Sequence, residues 1–189
     1  MKEISKYKLT NNVTVGQLLL WMDEKSDHSK KEIIKLIGHR FENRYLKHVK
    51  SVDSGFLIMA VSCFVIETLQ SFREGEPDTS GIGKRMFKNF FQNDKDNFPG
   101  FLEISDEFYQ DIRCGILHQS ETTNAWRVLR NGKLLDRTEF SINAELFLKS
   151  IDKSVNKYLD ELAHSDFNSE IWKNVFIKLT DICENCKRK

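Results

Sequence analysis

Ser105-Asp106-Glu107-Phe108-Tyr109-Gln110-Asp111-Ile112-Arg113-Cys114-Gly115-Ile116-Leu117-His118-Gln119 is the stretch from which the rest of the chain is best approached. Ser105 suits an N-cap, and from Glu107 to Gln119 the apolar residues recur with helical spacing. At roughly 100° per residue, Glu107, Asp111, Cys114 and His118 share one face, and Phe108, Ile112 and Ile116 share the opposite one. Arg113 falls at the boundary, about 140° around from His118. No other segment unites a fixed cation, an ionisable imidazole and a glycine that lets another backbone approach. A helical histidine is most often an ordinary surface or satisfied core residue. Two carboxylates on its own face, the helix end and an arginine five residues earlier favour a functional role for this one.

The segments before it repeat the helical rhythm. Thr14 can cap a short helix through Leu18–Met22 that ends at Asp23-Glu24-Lys25. Ser29 opens a longer one to about Val49, with Ile33, Ile34, Ile37, Phe41, Tyr45 and Val49 as its apolar stripe. Arg40, Arg44 and Lys47 stand at i, i+4 and i+7, a basic stripe that is either a solvated face or a track for an RNA backbone. Residues 52–72 form the most buried helix, since Phe56 to Ile66 is apolar on every side apart from Ser62. Glu67 ends that run; it either holds Arg113 in position or reaches solvent. Ser80-Gly81-Ile82-Gly83-Lys84-Arg85 lacks Walker spacing, because Asp78 stands where a glycine would be needed. It reads as a flexible lead-in, ahead of a generic anion site, to a helix Lys84–Gln92 with Phe87, Phe90 and Phe91 inward.

Downstream, Glu121-Thr122-Thr123-Asn124 can cap or turn. Trp126–Arg130, Asn131-Gly132 and Lys133–Asp136 read as a β-hairpin with a type I′ turn. Two short strands are not stable alone, so the hairpin must lean on helices. It offers Arg127 and Arg130 either to a substrate over His118 or to a dimer contact. Asn143 caps a long helix to about His164, with Leu146, Phe147, Ile151, Val155, Tyr158, Leu159 and Leu162 inward. Ser169 opens a last helix, with Ile171, Trp172, Val175, Phe176, Leu179 and Ile182 inward. It ends at Cys183-Glu184-Asn185-Cys186, read as incidental thiols: structural zinc wants four ligands, and a helix C-terminus disfavours a thiolate. The expected fold is an all-α bundle of about six or seven helices with a small β-hairpin insertion near 126–136. It forms a single domain over residues 1–189, with 1–12 loosely ordered.

Composition narrows the setting. Fourteen Phe against two Pro favour helices with aromatic packing, and a net charge of +1 announces no global field for nucleic acid, so any such surface is local. Four cysteines at 63, 114, 183 and 186 do not make a secreted disulfide framework, which points to a reducing, cytoplasmic setting. The first residues lack the apolar core of a signal peptide, and the run from Gly55 to Ile66 is too short to span a bilayer. No membrane, metal or cofactor is therefore expected.

Arginine, four residues, histidine, where a helix is running out, resembles the HEPN superfamily (higher eukaryotes and prokaryotes nucleotide-binding), and Arg113 and His118 match its signature. The resemblance implies an all-α bundle, usually a homodimer. It also implies a metal-independent endoribonuclease in which Arg and His from two subunits form one site, with a stress, toxin–antitoxin or phage-defence role and an antitoxin or other protein partner. The position after the arginine, often polar in that family, is Cys114. This and the near-neutral charge favour the alternative, a non-catalytic HEPN-like module that binds RNA, a nucleotide or a protein.

The residues suit the chemistry without the name. Cleaving RNA through its own 2′-hydroxyl needs a proton carrier near neutral pH, for which His118 is suited, and a permanent cation for the phosphorane charge, for which Arg113 is suited. Glu107, Asp111 and Asn124 are the candidates for orienting the imidazole. A separation of about 140° argues against both side chains of one helix closing on one atom. Two copies of the helix across a twofold axis would relieve this, with Gly115 allowing close approach.

Overall fold

A computed structural model describes residues 4–186. It is an all-α bundle of seven helices carrying a small three-stranded sheet. The helices are α1 (Val15–Glu24), α2 (Asp27–Phe41), α3 (Gly55–Glu74), α4 (Gly83–Asn93), α5 (residues 105–119), α6 (Ala144–His164) and α7 (Glu170–Glu184). The chain divides into two compact units, one of Met1–Arg40, Ser71–Asp78 and Lys157–Lys189, the other of Phe41–Gln70 and Thr79–Asn156.

In the first unit the caps set the helix starts. Thr14 accepts a hydrogen bond from the Gln17 amide, and the Gln17 side chain accepts from Thr14 N–H at 2.9 Å, a reciprocal pairing that satisfies two otherwise orphaned donors. Lys25, with φ of 48°, ends α1. Ser26 then caps α2 by accepting from Ser29 N–H at 3.1 Å, so this helix begins ahead of Ser29, which is buried inside it. Leu18, Ile33, Ile37, Tyr158, Leu162, Trp172 and Val175 form the core, and Trp172 Nε1–H donates to the Leu162 carbonyl at 3.0 Å. The N-terminal stretch is more ordered than expected: Ile4–Lys6 makes one 3₁₀ turn, Lys8 bridges Thr14, and Leu9 is buried. Residues 1–3 of that stretch lie outside the described residues.

The second unit is organised around phenylalanine. Phe87, Phe90 and Phe91 from α4, Phe98 and Phe101 from the following loop, Phe108 from α5 and Phe147 from α6 are all buried. Neighbouring ring centroids lie 5.0 to 6.3 Å apart, mostly edge to face, the arrangement the ring quadrupole prefers. This cluster fixes where α5 begins. Beyond α2, the chain enters a wide π turn at Glu42–Leu46, closed by Lys47 N–H donating to the Glu42 carbonyl, before the last helical turn Lys47–Val49. The extra residue shifts the inward side chain from Tyr45 to Leu46, leaving Leu46 1% exposed and Tyr45 39%.

The small β insertion is present, but its residues 126–136 do not pair with each other as a hairpin. Arg127–Leu129 (β1), Leu135–Asp136 (β2) and Ser141–Asn143 (β3) make a sheet in the order β1-β3-β2. β1 pairs in parallel with β3, Val128 opposite Ile142, and β2 pairs antiparallel on its other side, Leu135 opposite Ile142. A type I′ turn needs positive φ at both central residues, and of Asn131 and Gly132 only Gly132 has it. Ser141, Ile142 and Asn143 are all buried and take the central place. Asn143 still caps α6, its side chain accepting from Leu146 N–H at 3.1 Å while donating to the Gly132 carbonyl at 3.0 Å. The sheet leans on α3 at Gly55, where a methyl group would meet Val128 at 3.0 Å.

α3 runs eight residues past the apolar stretch of the sequence, to 20 residues. By length and composition it could cross a membrane, but 61% of its most apolar window is buried inside the protein, as in a core helix.

Candidate functional site

α5 is not a uniform helix. Ser105–Glu107 is one α turn, Phe108–Cys114 is a π segment, and Gly115–Gln119 returns to α geometry. Ser105 is its first residue and not the cap, since the preceding Ile104 makes no side-chain capping bond. Such wide turns are rare and concentrate at functional sites. Because the pitch changes between Arg113 and His118, the angular separation reckoned for a regular helix does not describe them. The same change draws Asp111 inward: it is 5% exposed, although a regular helix would put it on the polar face.

Arg113 is held from three sides. Its Nε–H donates to Glu67 Oε1 at 2.7 Å, its guanidinium lies 5.4 Å from the Tyr109 ring centroid, and one terminal nitrogen is 4.0 Å from Cys114 Sγ. Both partners of the ion pair are mostly enclosed, with side-chain exposures of 19% for Arg113 and 15% for Glu67. Glu67 thus takes the paired alternative, and its other oxygen accepts from the Thr79 hydroxyl at 3.4 Å. Partial burial works against the charge on Arg113, but the carboxylate outweighs it and holds the guanidinium pKa above its ordinary value. Tyr109 is raised as well, through burial first, with Arg113 opposing. The sequence reading missed Tyr109, four residues before the arginine, where an aromatic–cation contact along a helix could have been sought. Gly83 makes room for it, since a methyl group there would lie 2.6 Å from the Tyr109 hydroxyl; Gly83 therefore serves packing, and the neighbouring Lys84 pairs with Asp106 at 2.9 Å.

His118 is exposed and has no hydrogen-bond partner among the described residues. Ser120, in the left-handed conformation, ends the helix two residues later. None of the three expected supporting groups orients the imidazole. The Asp111 carboxylate accepts from the Thr123 hydroxyl at 2.7 Å and the Asn124 amide at 2.9 Å, and its carbonyl accepts from Thr123 N–H at 3.0 Å. Asp111 and Asn124 therefore tie the loop 121–124 back onto α5, because a buried carboxylate must find donors and this loop supplies them. Glu107 is exposed and makes no bond to His118. Gly115 serves the same loop and not a second helix: a methyl group there would stand 2.6 Å from the Glu121 carbonyl oxygen.

The candidate RNA contacts are largely engaged within the chain. Arg127 reaches the Glu139 carboxylate at 3.0 Å and its carbonyl at 2.9 Å. Arg130 Nε donates to Glu145 at 2.9 Å, and the guanidinium also pairs with Asp53. Lys47 donates to Asn43 at 3.1 Å. The π turn at Glu42–Leu46 breaks the i, i+4, i+7 register of Arg40, Arg44 and Lys47, and Arg40 is assigned to the first unit, the other two to the second. Among the described residues no cluster of three or more His, Cys, Asp or Glu could hold a metal ion. Cys183 and Cys186 are free thiols, and burial pushes the Cys183 thiol up to about 11. The chain matches no family model, no curated protein and no solved structure.

Proposed function

We propose that the protein is a HEPN-like endoribonuclease that cleaves single-stranded RNA without a metal, His118 moving protons and Arg113 stabilising phosphate charge. The observation that carries this reading is a contrast within one turn and a half of α5: a cation braced through its Nε by Glu67, and five residues on, an exposed imidazole with no partner. Pairing through Nε leaves the guanidinium's terminal nitrogens as the edge that can meet phosphate oxygens, with Tyr109 and Glu67 limiting its rotation. A neutral imidazole takes the proton of the 2′-hydroxyl, which attacks the adjacent phosphorus. An imidazolium gives a proton to the departing 5′-oxygen. The products are a 2′,3′-cyclic phosphate and a 5′-hydroxyl. One histidine per chain supplies one of these roles at a time, so the reading includes a homodimer that brings two copies of α5 to one phosphate. A cytoplasmic role in stress or phage defence, restrained by an antitoxin-type partner, belongs to the same reading.

The second reading is a non-catalytic HEPN-like module for RNA, nucleotide or protein. The Arg113–Glu67 pair favours it, since the carboxylate already neutralises the cation that a phosphate would seek. The two are separated by incubating labelled single-stranded RNA in EDTA with the wild type, His118→Ala and Arg113→Ala. Cyclic-phosphate ends produced by the wild type and lost in both variants support the nuclease. A folded wild type that retains RNA and leaves it whole supports the binding module.

A further inference from the structure

The first unit contains a cavity that the Arg113–His118 reading does not use. It encloses about 300 Å³ between the loop 10–13, α1 and α2, at the lower end of the roughly 300–1,000 Å³ typical of small-molecule sites. Its lining combines three kinds of chemistry. Trp21 from α1 contributes an indole surface. Asn12 contributes a side-chain amide able to donate and accept, and Gln17 offers the amide N–H groups that remain while its carbonyl accepts from Thr14. Glu32, Lys35 and His39 come from one side of α2, at i, i+3 and i+7. The Lys35 ammonium lies 3.7 Å from Glu32, and with 77% of its side chain exposed it remains open to a second anion.

His39 supplies the independent observation. Its Nδ1 is buried and has no hydrogen-bond partner among the described residues, unlike nearly all buried polar atoms. With neither tautomer fixed from within, the ring can meet a ligand as donor or acceptor. Gln17 is placed by its capping of α1, but nothing else described in the fold calls for a half-buried tryptophan and an uncommitted imidazole around a void.

We infer that this cavity binds a nucleobase-type ring carrying a phosphate. The flat ring packs on Trp21, its polar edge meets Asn12, Gln17 and His39, and Lys35 takes the phosphate. A planar heteroaromatic ring fits because its faces are apolar and its rim alternates donors and acceptors, matching an indole beside amides. Two sources offer this chemistry, a free nucleotide and an unpaired base of an RNA strand.

The test is calorimetric titration of the full chain with AMP, UMP, adenosine, ribose 5-phosphate and a short single-stranded RNA. Saturable binding of AMP or UMP, stronger than that of ribose 5-phosphate and weakened at least about tenfold in both Trp21→Ala and His39→Ala, is expected. Trp21→Phe, which keeps an aromatic face, should retain most of the affinity, and thermal melting confirms that each variant is folded. If the RNA binds more tightly than the mononucleotides and loses that advantage in Trp21→Ala, the source is an RNA base; if it binds no better, the source is a free nucleotide. Absence of binding by every probe at millimolar concentration, or binding unchanged in folded Trp21→Ala and His39→Ala, overturns the site. Arg113→Ala and His118→Ala should bind AMP as the wild type does, so failure here and failure of the nuclease reading remain distinguishable.

Discussion

Asp111 and His118 lie seven residues apart on α5, and the protein treats them in opposite ways. Asp111 is enclosed, and two side chains and one backbone amide of the next loop donate to it. The His118 side chain faces water and has no hydrogen-bond partner among the described residues. A carboxylate that accepts from two side chains is structural, because its removal strands both donors. An imidazole that collects none contributes little to stability and is available for chemistry in solution. Lying on one helix beside Arg113 does not by itself separate these two roles; the hydrogen bonds do.

The largest effect expected of this contrast is on activity. On the proposed nuclease reading, His118→Ala should lower RNA cleavage by about 10²–10⁴-fold, the usual worth of a general acid or base, while its unfolding free energy stays within about 0.5 kcal/mol of wild type. A drop of several degrees in its melting temperature would mean the histidine is structural after all. Asp111→Ala should do the reverse, costing about 3 kcal/mol in urea unfolding because the donors of Thr123 and Asn124 lose their acceptor. Gly115→Ala should cost about 1–3 kcal/mol, since its methyl group would press on the Glu121 carbonyl. Hydrogen exchange at Thr123 N–H, bonded to the Asp111 carbonyl, reports that displacement directly. The smallest effect belongs to Arg127→Ala. Its exposed pair with Glu139 is worth no more than about 1 kcal/mol, and retention of RNA should hardly change. A marked loss of RNA retention there would return the sheet to the candidate interface.

Helices were legible in the sequence because their signals are local. Thr14 announces the start of α1, and Phe87, Phe90 and Phe91 announce the buried face of α4. The strand order was not, because Ser141–Asn143 is too short to show alternation and runs directly into a helix. Nothing local says that β1 will prefer β3 across more than ten residues to β2 across a two-residue turn. The π turns were equally hidden. Every angular argument assumed a constant step; one wide turn moved burial from Tyr45 to Leu46, and Asp111 is buried within another. For the site, Glu67 beside Arg113 was readable as one of two alternatives for a charge at the end of an apolar run. The real partners of Asp111 and the occupant of the space over Gly115 depend on where a loop returns, which spacing does not encode.

The wide turn at Phe108–Cys114 also acts as a one-residue reserve of chain length. A π turn spans an α turn's path with one residue more, so deleting a single residue there could restore regular helix without parting its ends. Everything beyond the deletion would then keep its place around the axis, because the wide turn had already absorbed the extra residue. Length and aim are thereby uncoupled in this one stretch of the helix, whereas the same deletion in the regular turn Gly115–Gln119, ahead of the histidine, would swing His118 by about 100°.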